Sequence, residues 1–155
     1  MVIYIYTNGG GMGVLTADYL ESLNISLEET PEDIKIKLKE KLPNLASLRN
    51  PIDITANATE DQYIDGLKIL LEDPRTEAIL AILLPQLPHY TEKIVEKIIQ
   101  ISKNKNTPIF FVIYGGDYSL KIKEKLEKYF LVFDTPEEAS KALLFYLKIK
   151  NKYSY

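Results

Sequence analysis

Cysteine is missing from all 155 residues, and histidine occurs once. The first absence excludes disulfides, thiolate catalysis and cysteine-ligated metals. The second excludes a histidine-rich metal centre within the chain, and no metal site is expected. Neither charge sign dominates: the net charge is −3 and there is no basic block, which argues against nucleic-acid binding. No apolar run approaches the ~20 residues that span a bilayer. A basic, apolar, small-residue leader is also lacking, so a cytoplasmic location and no membrane partner are expected.

What remains is an ordinary globular balance, with 46% hydrophobic and 26% charged residues, enough for one domain with a sizeable core. The surface-type residues are mostly Lys and Glu and the core-type residues are rich in Ile, a thermophile-like composition. Four of the seven glycines crowd into Thr7-Asn8-Gly9-Gly10-Gly11-Met12-Gly13. This run follows an apolar stretch, Val2–Tyr6, that reads as a buried strand, and it leads into a helical pattern from Val14 to Leu20. A strand, a glycine turn and a helix N-terminus together can cradle an anion on free N–H groups. The run is not a P-loop, because no Gly-Lys-Ser/Thr follows, and it fails the G-x-G-x-x-G spacing. By itself the turn fits an anion cradle and a plain structural turn alike.

Strand and helix patterns alternate along the rest of the chain. Asn24–Leu27 reads as a short strand. Thr30 is placed to cap a helix from Pro31 to about Leu42, with Asp33 in its first turn. A loop spans residues 46–58, and Thr59 caps a helix whose Tyr63, Ile64, Leu67, Leu70 and Leu71 point inward. Ala78–Leu84 is a strand buried on both faces. Thr91 caps a helix with Ile94, Val95, Ile98 and Ile99 inward. Pro108–Tyr114 is another strand, followed by a helix from Tyr118 to Lys128, a short strand at Phe130–Phe133 and a last helix opened by Pro136. Tyr63, Phe110, Phe111, Phe130 and Phe145 read as core aromatics. The domain is expected over residues 1–148, with a frayed tail at 149–155.

This alternation predicts an α/β fold: a flavodoxin-like, doubly wound, mainly parallel five-stranded sheet with helices on both faces. Ligands then collect at the carboxyl ends of the strands. Thr7–Gly13, Pro85–His89 and Tyr114–Asp117 fall on that edge, with the loop from Asn50 to Ala58 folded over it. Thr7 and Asn8 are neutral donors suited to an anion. Asn50 and Asp53 flank Pro51 and read as a loop brace more than as reacting groups, since a carboxylate beside phosphate repels it. Asp18 reads as a surface carboxylate or an interface residue, and His89 as an exposed loop histidine.

Five segments, Thr7–Gly13, Ala17-Asp18, Asn50-Pro51-Ile52-Asp53, Leu84-Pro85-Gln86 and Thr135–Ala139, together resemble one family. It is the C-terminal flavodoxin-like ligase domain of NDP-forming acyl-CoA synthetases, which are similar to succinyl-CoA synthetase. The resemblance runs over about residues 1–147. It implies a part in the reaction acid + CoA + ATP to acyl-CoA + ADP + phosphate. A phosphohistidine carries the phosphoryl group in such enzymes, held between two helix N-termini from two homologous ligase domains. By this resemblance Asn8, Gly9, Gly10, Gly11, Met12 and Gly13 bind phosphate, and Thr7, Asp18, Asn50, Pro51, Asp53, Pro85 and Gln86 support the site. The phosphohistidine belongs to a companion domain, because the matching segment here, Tyr114–Ser119, has no histidine. No catalytic residue, and no cofactor bound by this chain alone, is expected. CoA, ATP or ADP and Mg would act in an assembled enzyme with a CoA-binding domain and an ATP-grasp domain or subunit. Two alternatives are a CoA- or acyl-CoA-sensing regulatory domain of an acetyltransferase-type protein and an unrelated flavin carrier.

Overall fold

A computed structural model of the chain describes residues 1–85 and 89–153. The elements in order are β1 (Val2–Thr7), α1 (Gly10–Ser22), α2 (Glu32–Lys39), β2 (Ile52–Asp53), α3 (Glu60–Glu72), β3 (Thr76–Leu83), α4 (Ile94–Ser102), β4 (Ile109–Ile113), α5 (Asp117–Leu126), β5 (Leu131–Phe133) and α6 (Pro136–Tyr153). One five-stranded sheet has the order β2-β1-β3-β4-β5, and every pairing is parallel. The expected α/β architecture is therefore present.

Side chains alternate across the sheet and build two cores. Tyr4, Tyr6, Ile79, Ala81 and Phe111 face α2, α3, α4 and α5. Ile3, Ile5, Leu80, Ile82 and Phe110 face α1 and α6. Both faces of β1 are covered, so all six of its residues are buried. The near-continuous apolar character of β1 and β3 follows from this double cover. No helix among the described residues is long and apolar enough to cross a membrane.

The second strand is Ile52–Asp53, paired with Tyr6 and Thr7, and not Asn24–Leu27. Asn24 takes a left-handed φ of 59°, donating to Glu21 O at 2.9 Å, and Ile25 N–H donates to Leu20 O at 2.9 Å. Those bonds form a Schellman close to α1, so the segment's backbone is spent on a helix end and not on a ladder.

Caps differ in two places. Pro31, not Thr30, precedes α2, and the buried Thr30 hydroxyl has no partner. Lys93, not Thr91, precedes α4, because Thr91 gives both its N–H (2.6 Å) and its hydroxyl (2.9 Å) to Glu60. Thr59 does cap α3, in a reciprocal box with Gln62. Phe145 is 66% exposed and not core. Residues 149–153, within the expected tail, are helical in α6.

Candidate functional site at the carboxyl edge of the sheet

β1 ends at the sheet's carboxyl edge, and the glycine run turns there into α1. Two buried side chains hold that turn. The Thr7 hydroxyl accepts the Gly9 N–H at 2.9 Å. The Asn8 carboxamide accepts from Leu84 N–H at 2.8 Å and donates to Leu84 O at 2.9 Å. A side chain thus prolongs the β1–β3 ladder by one step beyond the strands. Asn8 was expected to donate to an anion, yet this carboxamide is engaged with backbone. Its amide nitrogen carries a second hydrogen beyond the one given to Leu84 O.

The Gly9 carbonyl accepts from Met12 N–H at 3.1 Å and Gly13 N–H at 3.2 Å, which starts α1. No side chain caps this helix, and no acidic residue sits in its first turn. The N–H groups of Gly10 and Gly11 have no acceptor among the described residues. Two orphan donors at the positive end of a helix dipole, at the ligand edge of an α/β sheet, are suited to an anion.

The four glycines have different reasons to be glycine. A Cβ at Gly9 would run into Leu84 Cδ1, and one at Gly10 into Asp53 Oδ2. At Gly13 it would meet Thr7 Cγ2 at 2.9 Å and Pro51 Cβ at 3.5 Å. At Gly11 it would meet nothing within 4 Å. Internal packing therefore explains three of them and leaves Gly11 unexplained by the fold. Gly11 is exposed, at the mouth of the cradle.

The supporting residues separate by location. Asn50 lies along the free edge of β1, where it accepts from Ile5 N–H at 3.0 Å and donates to Ile3 O at 2.7 Å and Glu28 O at 2.9 Å. It stands in for a neighbouring strand below the short β2. A cis bond joins it to Pro51, whose ring sits beside Gly13. Asp53 closes the loop by accepting from Thr55 N–H at 2.9 Å, while its other oxygen faces Gly10. Its negative charge borders the cradle, where it favours the helix end but opposes a bound anion.

Pro85 is buried at the end of β3, and Gln86 lies outside the described residues. Asp18 is exposed two turns down α1, ~10 Å from Gly11 along the helix axis. There it lines a separate open groove of about 470 Å³ with Ala17, Glu21, Asn24 and Ser26, so it is not brought to the cradle. His89 is exposed. At the neighbouring edge turn, α5 begins without a side-chain cap but carries Asp117 in its first turn. That charge opposes an anion there, as Asp53 does beside Gly10.

Tyr90 escaped sequence reasoning, because one tyrosine after a proline-rich loop carries no periodic signal. It is fully buried and meets Tyr63 edge-on at 6.2 Å, and Tyr63 in turn meets Tyr6 at 5.0 Å. Its hydroxyl has no hydrogen-bond partner among the described residues. Burial pushes the phenol up to about 12, with the Asn8 amide opposing and the Glu60 charge adding to the rise. It is a neutral donor across the working pH range.

Residues 2–107 match the Ligase-CoA domain family. The chain is 32% identical over 147 residues to the alpha subunit of acetate–CoA ligase [ADP-forming] II from Pyrococcus furiosus, covering 90% of this chain and 32% of that protein. It is 33% identical over 146 residues to acetate–CoA ligase [ADP-forming] from Methanocaldococcus jannaschii, covering 91% and 21% respectively. Among solved structures, PH0766 from Pyrococcus horikoshii superposes with a TM-score of 0.91 at 31% identity, over 99% of this chain and 37% of that one. The dinucleotide-forming acetyl-coenzyme A synthetase 1 of Ca. Korarchaeum cryptofilum, solved with phosphate and ADP, superposes with a TM-score of 0.87 at 29% identity, over 97% and 34%. The chain spans about a third or less of the length of these relatives.

Proposed function

Since the chain belongs to the Ligase-CoA domain family, we propose that it is the ligase domain or subunit of an ADP-forming acyl-CoA synthetase, converting acid, CoA and ATP to acyl-CoA, ADP and phosphate together with partners. The observation that carries this reading is the open N-terminus of α1, with unpaired Gly10 and Gly11 N–H groups and no capping side chain. Those donors are fixed before any ligand arrives, so they stabilise phosphoryl charge without reorganising. Phosphoryl transfer needs little covalent help from the protein beyond such positioning and charge stabilisation.

In this proposal the group held is a phosphohistidine presented by a companion domain, and inorganic phosphate shares the same chemistry. Asn8 through Gly13 form the cradle. Thr7, Asn50, Pro51 and Asp53 hold its shape, and Pro85 lies at the same edge, after β3. Asp18 belongs to a surface facing a partner and not to the cradle. CoA, nucleotide and Mg contacts fall to a CoA-binding domain and an ATP-grasp partner. Among the described residues no group of three or more His, Cys, Asp or Glu side chains is placed to hold a metal ion. The assembled enzyme would work in the cytoplasm. Relatives named as ADP-forming ligases favour this reading over an acyl-CoA-sensing regulatory domain.

The test is an amide NMR titration with phosphate, with chloride at matched ionic strength as the control. Saturable shifts centred on Gly9–Gly13 are expected. Shifts spread evenly over the surface, or equal in chloride, would refute the cradle.

A further inference from the structure

A carboxylate beside an anion cradle works against the anion unless the anion brings a proton to it. Asp53 stands in that position, and the fold holds it there. Its N–H donates to Ser47 O at 3.0 Å and its carbonyl accepts from Ser47 N–H at 2.8 Å, while the next residue, Ile54, donates to Thr7 O at 2.9 Å. Its Oδ1 accepts from Thr55 N–H at 2.9 Å. Thr55 takes a left-handed φ of 71°, uncommon for a β-branched residue. The other oxygen, Oδ2, meets neither a cation nor a second donor among the described residues. It lies where a side chain at Gly10 would begin.

The Cα–Cβ bonds of a helix tilt toward its N-terminus, the end at which the first N–H groups are free. Oδ2, at the Cβ position of Gly10, therefore sits at the same end of α1 as the free Gly10 and Gly11 N–H groups. The cradle thus offers two fixed donors and one fixed acceptor, since an ionised carboxylate only accepts. A fully deprotonated anion meets two donors and one repulsion there. An anion with a proton on one oxygen gains a further, charge-assisted hydrogen bond in place of the repulsion.

We propose that Asp53 is a specificity-determining residue of the glycine turn, selecting a phosphoryl group that still carries a proton. This rests on the reading of that turn as a phosphate site. Inorganic phosphate and a singly protonated phosphohistidine both meet the requirement. Sulfate has the same shape and no proton near neutral pH, and it fails. A carboxylate that served only as a partner of the helix dipole would repel both ions and select neither.

Isothermal titration calorimetry of the chain with inorganic phosphate and with sulfate tests this, chloride holding the ionic strength. The pH is set at about 6, near the second pKa of a protein-bound phosphoryl group. Wild type should prefer phosphate by about ten- to hundredfold, the size of one hydrogen bond to a charged group. In Asp53→Asn the amide oxygen can keep the Thr55 N–H and the amide nitrogen then puts a donor at Gly10. That variant should bind sulfate more tightly than wild type does and hold the two ions within about threefold of each other, with its thermal midpoint little changed. N-phosphohistidine forms a third arm: tighter binding than inorganic phosphate names the side chain as the source of the group, weaker binding names the free ion, and the preference over sulfate should stand in both cases.

Equal affinity of wild type for phosphate and sulfate, or an Asp53→Asn variant in which both ions tighten alike, would overturn the proposal. Weakening of both ions alike with a lower midpoint would overturn it too, by making the carboxylate a loop brace and no more. Wild-type protein that binds neither ion would instead remove the phosphate reading of the turn, and this inference with it.

Discussion

Gly11→Ala separates a glycine kept for the fold from one kept for a ligand. A Cβ at Gly11 meets nothing within 4 Å, and the residue lies in the first turn of α1 without a left-handed φ. Alanine therefore costs no clash and improves helix propensity, by ~0.5–1 kcal/mol once unfolded-state entropy is included. For a chain of this size that raises the thermal midpoint by about 2–4 °C per kcal/mol. The same methyl stands at the mouth of the cradle, beside the Gly10 and Gly11 N–H groups. A phosphoryl oxygen pushed off one such donor loses an interaction whose removal elsewhere lowers turnover by ~10²-fold or more. The variant should thus be more stable and at least about tenfold poorer at phosphoryl transfer, allowing for partial accommodation. Differential scanning calorimetry reads the first quantity. Phosphate consumption dependent on acyl-CoA and ADP, in the protein assembled with its phosphohistidine, CoA-binding and ATP-grasp partners, reads the second. Gly11→Ala that is more stable and fully active would refute close ligand approach as the reason for this glycine.

Three further outcomes are expected. Asn50→Ala strips three hydrogen bonds from β1 and the Glu28 loop and should cost about 3 kcal/mol in urea unfolding, since buried backbone groups of β1 lose their partner; a change below the error of the midpoint would refute the brace. The Lys125 ammonium, 2.5 Å away, holds the Glu92 carboxyl below its usual range, so this pair supports the fold above that range and its support fades as pH falls through it. Acid unfolding followed below about pH 4 should then be shallower in Lys125→Met, only slightly because both groups are solvated, and identical profiles would contradict it. His89→Ala should leave turnover of the assembled enzyme within a factor of a few, and a fall of several orders of magnitude would make the exposed imidazole catalytic.

The parallel sheet was legible in the chain because β1, β3 and β4 are buried on both faces and read as continuous apolar runs. Thr59 and Pro136 were legible as helix starts because capping chemistry is local to three or four residues. Asn24–Leu27 misled for the same reason in reverse: its apolar and polar alternation matches a strand, but a left-handed Asn24 turns it into the end of α1. β2 was invisible because two residues are too few for a period, and only pairing with Tyr6 and Thr7 makes them a strand. Phe145 misled because a position on a helix does not by itself say which flank a neighbour will cover.

The chain alone determined that a glycine turn follows a buried strand and precedes a helix, an arrangement that suits an anion cradle and a plain structural turn alike. It also excluded cysteine chemistry and left no histidine at Tyr114–Ser119. Only the tertiary structure decided which atoms serve the cradle. Asn8 spends its amide on Leu84, 76 residues away, and Asn50 braces strand β1 from 45 residues away. A Cβ at Gly9 or Gly10 would press on the tip of the Leu84 or Asp53 side chain, whereas Gly11 faces open space. Such roles depend on contacts between residues far apart in the chain, which local pattern cannot encode and packing in three dimensions creates.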